Sequence, residues 1–85
     1  MTDSFSSHRD IIDAWPGLQE FADDVGATYG AAKAMRRRDR IGLEYVADAV
    51  AGATKRGIRG VTADLIARLA ADKAMEERKT EQVPT

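Results

Sequence analysis

Five cations fall within eight residues, Lys33, Arg36, Arg37, Arg38 and Arg40, and Tyr29 lies four residues before the first of them. On a helix, Tyr29, Lys33, Arg36 or Arg37, and Arg40 recur at i, i+4, i+7 or i+8, and i+11, so they project from one side. Arginine and lysine offer fixed positive charge and N–H donors, and a stripe of them holds anionic oxygens rather than making or breaking bonds. An arginine run also serves as a solvated helix face or as favourable charge at a helix C-terminus. Arg38, three residues after Met35, falls toward the inner side, where a structural hydrogen bond is expected of it.

Residues for catalysis do not assemble. His8 is the single histidine and stands at a helix start with no second ligand or nucleophile near it in sequence. Asp23 and Asp24 read as a solvated pair at a helix end. Trp15, four residues after Ile11, reads as core. The chain has no cysteine, which excludes disulfides, thiolate metal sites and a cysteine nucleophile. It has no P-loop, no HExxH and no glycine–serine nucleophile elbow. The expectation is a protein that is not an enzyme, with no catalytic residue, no cofactor and no metal.

The charge of the 85 residues is sorted by segment, although the net is only −1. Residues 1–27 carry Arg9 against Asp3, Asp10, Asp13, Glu20, Asp23 and Asp24, a net of −5. Residues 28–60 carry Lys33, Arg36, Arg37, Arg38, Arg40, Lys55, Arg56 and Arg59 against Asp39, Glu44 and Asp48, a net of +5. A basic segment of this kind suits a polyanionic partner whatever the overall isoelectric point. No stretch approaches the roughly 20 apolar residues of a membrane span. Residues 1–10 hold no apolar run of a signal peptide, so no membrane contact and a cytoplasmic location are expected.

The elements that must carry the stripe are helical, since apolar residues recur at helical spacing and nowhere alternate. Ser7-His8-Arg9-Asp10 has the form of a capping box and opens a first helix that buries Ile11, Ile12 and Trp15 and ends at Pro16-Gly17. Leu18, Phe21, Ala22 and Val25 form one face of a second helix, closed by Gly26. A third helix runs from near Thr28 to about Arg37 with Ala31, Ala32 and Met35 inward, and breaks at Arg40-Ile41-Gly42. A fourth covers about Leu43 to Lys55, with Tyr45, Val46, Ala49, Val50 and Ala53 inward. Gly57 and Gly60 bracket a loop. Thr62 caps a fifth helix, with Val61 and Ile66 as its hydrophobic staple and Leu65, Leu69 and Ala70 continuing the buried face. Residues 1–6 are expected to be a flexible N-terminus, 7–74 one domain, and 75–85 a polar, disordered tail.

Residues 18–41 meet the demands of a helix-turn-helix, in which two short helices cross at a tight glycine-containing turn. The crossing needs a small residue, and Ala22 is there. The turn needs a residue tolerant of positive φ four positions on, and Gly26 is there. The second helix must bury two positions three apart, and Ala32 and Met35 are there.

The two runs Leu18-Gln19-Glu20-Phe21-Ala22-Asp23-Asp24-Val25-Gly26-Ala27 and Ala32-Lys33-Ala34-Met35-Arg36-Arg37-Arg38-Asp39-Arg40-Ile41 resemble the Cro/CI-type helix-turn-helix of phage and bacterial repressors. Residues 7–74 are similar in layout to compact five-helix regulators of that kind. The sequence departs from the family's pattern at Ala32, usually β-branched, at Met35, usually Trp or Ile, and at Gly42, usually Pro. The first two alter how the third helix packs; the last leaves the start of the fourth helix less defined.

The resemblance implies an all-α, compact five-helix lambda-repressor-like domain, its helix-turn-helix at about 18–38, and a sequence-specific transcription regulator of double-stranded DNA. A repressor that occludes a promoter is the simplest form. The third helix, about Thr28 to Arg37, then enters the major groove with its early residues nearest the bases. Thr28, Tyr29, Gly30, Lys33 and Arg37 are the expected base or near-base contacts, with Gly30 allowing close backbone approach. Gln19, Arg36, Arg38 and Arg40 are the expected phosphate contacts, joined by Lys55, Arg56 and Arg59. A homodimer is expected, with the fifth helix and the tail available to form it. The bound protein would be associated with the bacterial nucleoid. The alternative is a protein-interaction module or activator on the same scaffold, whose acidic surface (Asp10, Asp13, Glu20, Asp23, Asp24) contacts RNA polymerase or another protein.

Overall fold

Ser7 opens the first helix from an extended backbone, its hydroxyl accepting the Asp10 N–H at 3.1 Å. The computed structural model describes residues 5–81, with side chains described as far as Met75. The order is α1 (His8–Ile12), α2 (Leu18–Val25), α3 (Tyr29–Arg38), a 3₁₀ turn (Leu43–Tyr45), α4 (Val46–Arg56) and α5 (Ala63–Glu81). The described chain is therefore all-helical, with five α-helices and no strand.

Local chemistry sets most of the ends. The Asp10 carboxylate turns back onto Ser6, accepting from its N–H at 3.0 Å and its hydroxyl at 2.7 Å, one residue earlier than a capping box would place it. Ser6, and with it the half-buried Phe5, therefore belongs to the folded unit rather than to a flexible N-terminus. Gly26 and Gly57 end α2 and α4 in the left-handed region, at φ 72° and 74°. There the N–H of the following residue returns to a carbonyl of the last turn, Ala27 to Ala22 at 2.9 Å and Ile58 to Ala53 at 2.8 Å. Thr62 caps α5 as expected, accepting from Leu65 N–H at 3.1 Å, with Val61 and Ile66 both buried.

Four boundaries differ from the sequence reading. α1 stops at Ile12, and tight bonds from Ala14 to Ile11 and from Trp15 to Ile12 swing Trp15 round onto Phe21. α3 turns at Asp39, which itself takes the left-handed conformation (φ 58°), and not at Gly42, whose backbone is extended. The residues before α4 form the 3₁₀ turn instead of its first helical turn. α5 continues through Glu81 where a disordered tail was expected from residue 75; residues 82–85 of that tail lie outside the described residues.

α2 is the hub. It packs on α3 and α4, while α1 packs on α3 and α5, and α4 on α5. Phe21 is wholly buried and meets Trp15 edge-on, with ring centroids 5.0 Å apart. Ala22, Ala32, Ala49 and Ala53 are fully buried where helices cross, and small side chains there let the backbones approach. At Gly52 on α4 the approach to α2 leaves no room for a side chain, since a Cβ would fall 2.9 Å from the Cβ of Asp24.

Candidate nucleic-acid interface

Gly26, Ala27 and Thr28 carry the chain from α2 into α3. Thr28 is extended, and its hydroxyl accepts the Ala31 N–H at 3.0 Å, so the residue expected to touch bases is also the cap that starts the helix. α3 is two-sided. Ala32 and Met35 are buried against α2, while Tyr29, Gly30, Lys33, Arg36, Arg37, Arg38 and, just beyond, Arg40 are exposed. Tyr29, Lys33, Arg36 and Arg37 of the stripe read from the sequence therefore lie on one helix and are exposed, whereas Arg40 follows the left-handed turn at Asp39 and does not continue the stripe. Tyr29 is 48 % exposed, and the Lys33 ammonium sits 5.8 Å from its ring centroid, a cation–π pair at the N-terminal end of the helix.

The basic side chains fall into two groups. Arg36 makes a two-pronged pair with Asp13, Nε to Oδ1 at 2.7 Å and Nη2 to Oδ2 at 3.1 Å, with both side chains half-exposed. Gln19 is likewise engaged, its amide donating to Asp23 at 2.9 Å. Arg37, Arg38 and Arg40 make no side-chain hydrogen bond or ion pair among the described residues, so the inner hydrogen bond expected of Arg38 is not formed there. It is the Arg38 carbonyl that is held, by Lys73.

The last turn of α3 is gripped from both ends of the chain. Arg9 on α1 donates to the carbonyls of Arg36 at 3.0 Å and Arg37 at 3.1 Å, and its own N–H donates to Asp39 at 2.7 Å. Lys73 on α5 donates to the carbonyls of Arg38 and Asp39. These cations satisfy carbonyls that a helix end leaves without partners and complement its negative pole. Next to this grip sits His8, only 3 % exposed. Its Nδ1 accepts the Ile41 N–H at 2.7 Å and its Nε2 donates to the Ile66 carbonyl at 2.8 Å. Those partners require the neutral tautomer with the proton on Nε2.

His8, Arg9 and Lys73 position the basic helix, and none was singled out for that by sequence. Their partners lie 27 to 58 residues away, beyond any local pattern.

Asp24 is also not the solvated residue that the sequence suggested. Its side chain is 11 % exposed, accepts the Trp15 indole N–H at 2.9 Å, and pairs with Arg56 at 2.6 and 3.2 Å. Arg56, a candidate phosphate contact, is thus committed to holding α4 against α2. The Arg56 guanidinium first, and the Trp15 N–H second, draw the Asp24 carboxyl down from 3.8 to about 2. A carboxyl lowered on folding stabilises the fold fully above its unfolded value and loses that contribution as pH falls through the folded one. Acid titration of wild type should therefore lose about 1–2 kcal/mol between roughly pH 4 and pH 2 through this group. Asp24→Asn should be less stable at neutral pH and should show a shallower loss across that interval. Parallel acid limbs for the two proteins, followed by circular dichroism, would show that the pair contributes nothing.

Among the described residues no group of three or more His, Cys, Asp or Glu is arranged to hold a metal ion, and no helix is long and apolar enough to cross a membrane. No protein-family model matches this chain, and no curated protein or solved structure matches it either. What it offers is its own geometry: a helix with one face buried on its neighbour, the other basic, and a left-handed glycine between the two.

Proposed function

We propose that the protein is a sequence-specific, double-stranded DNA-binding transcription regulator of the Cro/CI helix-turn-helix type, most simply a repressor, that reads the major groove with α3. The observation that carries this reading is the exposed row Tyr29, Lys33 and Arg37 on a helix whose opposite face packs on α2, with Arg38 at the end of that helix and Arg40 just after it. Such a helix fits a groove about 12 Å wide, and its cations face the phosphates on either side. Thr28, Tyr29, Gly30, Lys33 and Arg37 contact or approach bases, and Gln19, Arg36, Arg38 and Arg40 contact phosphates. For Arg36 and Gln19 this means exchanging Asp13 and Asp23 for a phosphate oxygen. The regulator acts as a dimer on two half-sites about 34 Å apart.

The other reading, an acidic surface that contacts RNA polymerase or another protein, has less to support it. Four of the five carboxylates that would form that surface are occupied within the chain: Asp10 by Ser6, Asp13 by Arg36, Asp23 by Gln19, and Asp24 by Trp15 and Arg56. The deciding experiment is selection of duplexes from a random pool by the purified protein at near-physiological salt. Enrichment of an inverted repeat is expected. Absence of any enriched sequence, with only weak salt-sensitive retention, removes the regulator reading and leaves the interaction module.

A further inference from the structure

Leu43, at the head of the 3₁₀ turn, is the large aliphatic side chain that the fold leaves most in water among the described residues, 87 % exposed. It borders a groove of about 340 Å³ between that turn and α5, within the size range of small-molecule sites. Ile41 and Ile66, both buried, make its floor. Leu43 and Val46 stand on one side. On the other, Ala63, Ala67 and Ala70 recur at i, i+4 and i+7 and form a strip of α5 about 10 Å long. These walls are aliphatic, and the row of alanines keeps one bank low, so the trough suits a slender, unbranched chain better than a broad ring.

Two polar residues border the groove, His8 and Arg40. Both ring nitrogens of His8 are taken by main-chain groups. Arg40 is exposed and makes no side-chain hydrogen bond or ion pair among the described residues. No carboxylate lines this groove, whereas the clefts that share Arg40 and His8 with it hold Glu44 and Asp39 with Asp72, respectively. An uncompensated guanidinium beside an aliphatic trough is complementary to an anionic head on an apolar chain.

We infer that this groove binds a medium-chain alkyl carboxylate, its chain along the α5 alanines beside Leu43 and its carboxylate on Arg40. Guanidinium and carboxylate meet in a two-pronged, charge-assisted pair, as Arg36 and Asp13 do within the chain. Leu43 gains the apolar cover that the free chain lacks. The site itself stands apart from the DNA reading, but its consequence for DNA rests on that reading. There Arg40 is a phosphate contact, and a carboxylate that occupies Arg40 takes it from the duplex. The ligand is then an effector that lowers operator affinity.

Binding is tested without DNA, by calorimetric titration of the full chain with sodium hexanoate, octanoate and decanoate below their micelle concentrations. Affinity should rise about threefold to fourfold with each added methylene. 1-Octanol should bind about tenfold more weakly than octanoate, for want of the charge-assisted pair. Arg40→Gln should bring octanoate down to the level of octanol and leave octanol unchanged, a split that a merely structural role for Arg40 would not produce. Ala67→Glu lies at an exposed position of α5 where glutamate is a good helix former, and it should abolish binding of both, with the fold checked by circular dichroism. Octanoate that binds no better than hexanoate, or as well to Arg40→Gln as to wild type, overturns the inference. So does a wild type that self-associates and excludes octanoate, since a second copy then fills the groove. Operator binding that octanoate weakens in wild type and not in Arg40→Gln supports the effector role, and octanoate binding without effect on operator overturns that role alone. Octanoate binding by a protein that retains no duplex overturns the DNA reading alone.

Discussion

Replacing His8 with alanine should lower the free energy of unfolding by about 2–4 kcal/mol, a large share of what a chain of this size holds. The imidazole is buried and serves two main-chain groups at once, accepting from Ile41 N–H and donating to Ile66 carbonyl. Removing it strands one donor and one acceptor, and each orphaned buried group is worth about 1–3 kcal/mol. The cavity left behind adds to the loss. His8→Phe separates the two effects. It restores volume but neither hydrogen bond, so it should fall nearly as far as alanine in thermal or urea unfolding. A phenylalanine variant as stable as wild type would mean that packing alone holds α1 between the segment after α3 and α5.

Arg37→Ala should reduce specific duplex affinity by between fivefold and a hundredfold, or about 1–3 kcal/mol, the range of a good arginine–guanine contact. Its stability should stay within about 0.5 kcal/mol of wild type, because the side chain is exposed and the hydrogen bond from Arg9 goes to its carbonyl, which alanine retains. Discrimination at one base position should relax, whereas a phosphate contact would weaken all sequences alike and flatten the salt dependence by about one ion. Arg36→Ala should have the smaller effect, since reaching a phosphate requires Arg36 first to leave Asp13. Titration of labelled operator against each variant at two salt concentrations measures both quantities. If Arg37→Ala binds operator as wild type does, α3 does not face the groove in the orientation proposed.

The parts of the molecule that were legible in sequence are those set by near neighbours. Ser7, Gly26 and Thr62 cap or end helices because hydroxyls reach the N–H three residues on, and because glycine takes positive φ without strain. The two-sided α3 followed from Ala32 and Met35 three residues apart. The misreadings have equally definite causes. The break after α3 was read at Arg40-Ile41-Gly42, yet the left-handed turn falls on Asp39, with Arg9 N–H bound to its carboxylate. The continuation of α5 was taken as a tail because its residues are polar, but polarity separates buried from exposed and not helix from coil. Asp24 was read as solvated because Trp15 and Arg56, which claim it, stand 9 and 32 residues away. The base and phosphate assignments within α3 depend on a docked duplex, which neither helical spacing nor the fold of the free chain supplies.

The grip on the end of α3 has a consequence for the order in which the protein is made. Arg9 leaves the ribosome long before α3 exists, whereas Lys73 follows α3 by 35 residues. A nascent chain that stops short of α5 has one of the two clamps and lacks both Ile66, the acceptor for His8, and the helix that carries it. The end of its basic helix then has the Arg9 contacts without those of Lys73. Synthesis of α5 thus adds the second clamp, and a product that stops before it carries the arginines on a helix that Lys73 and the His8–Ile66 bond do not hold.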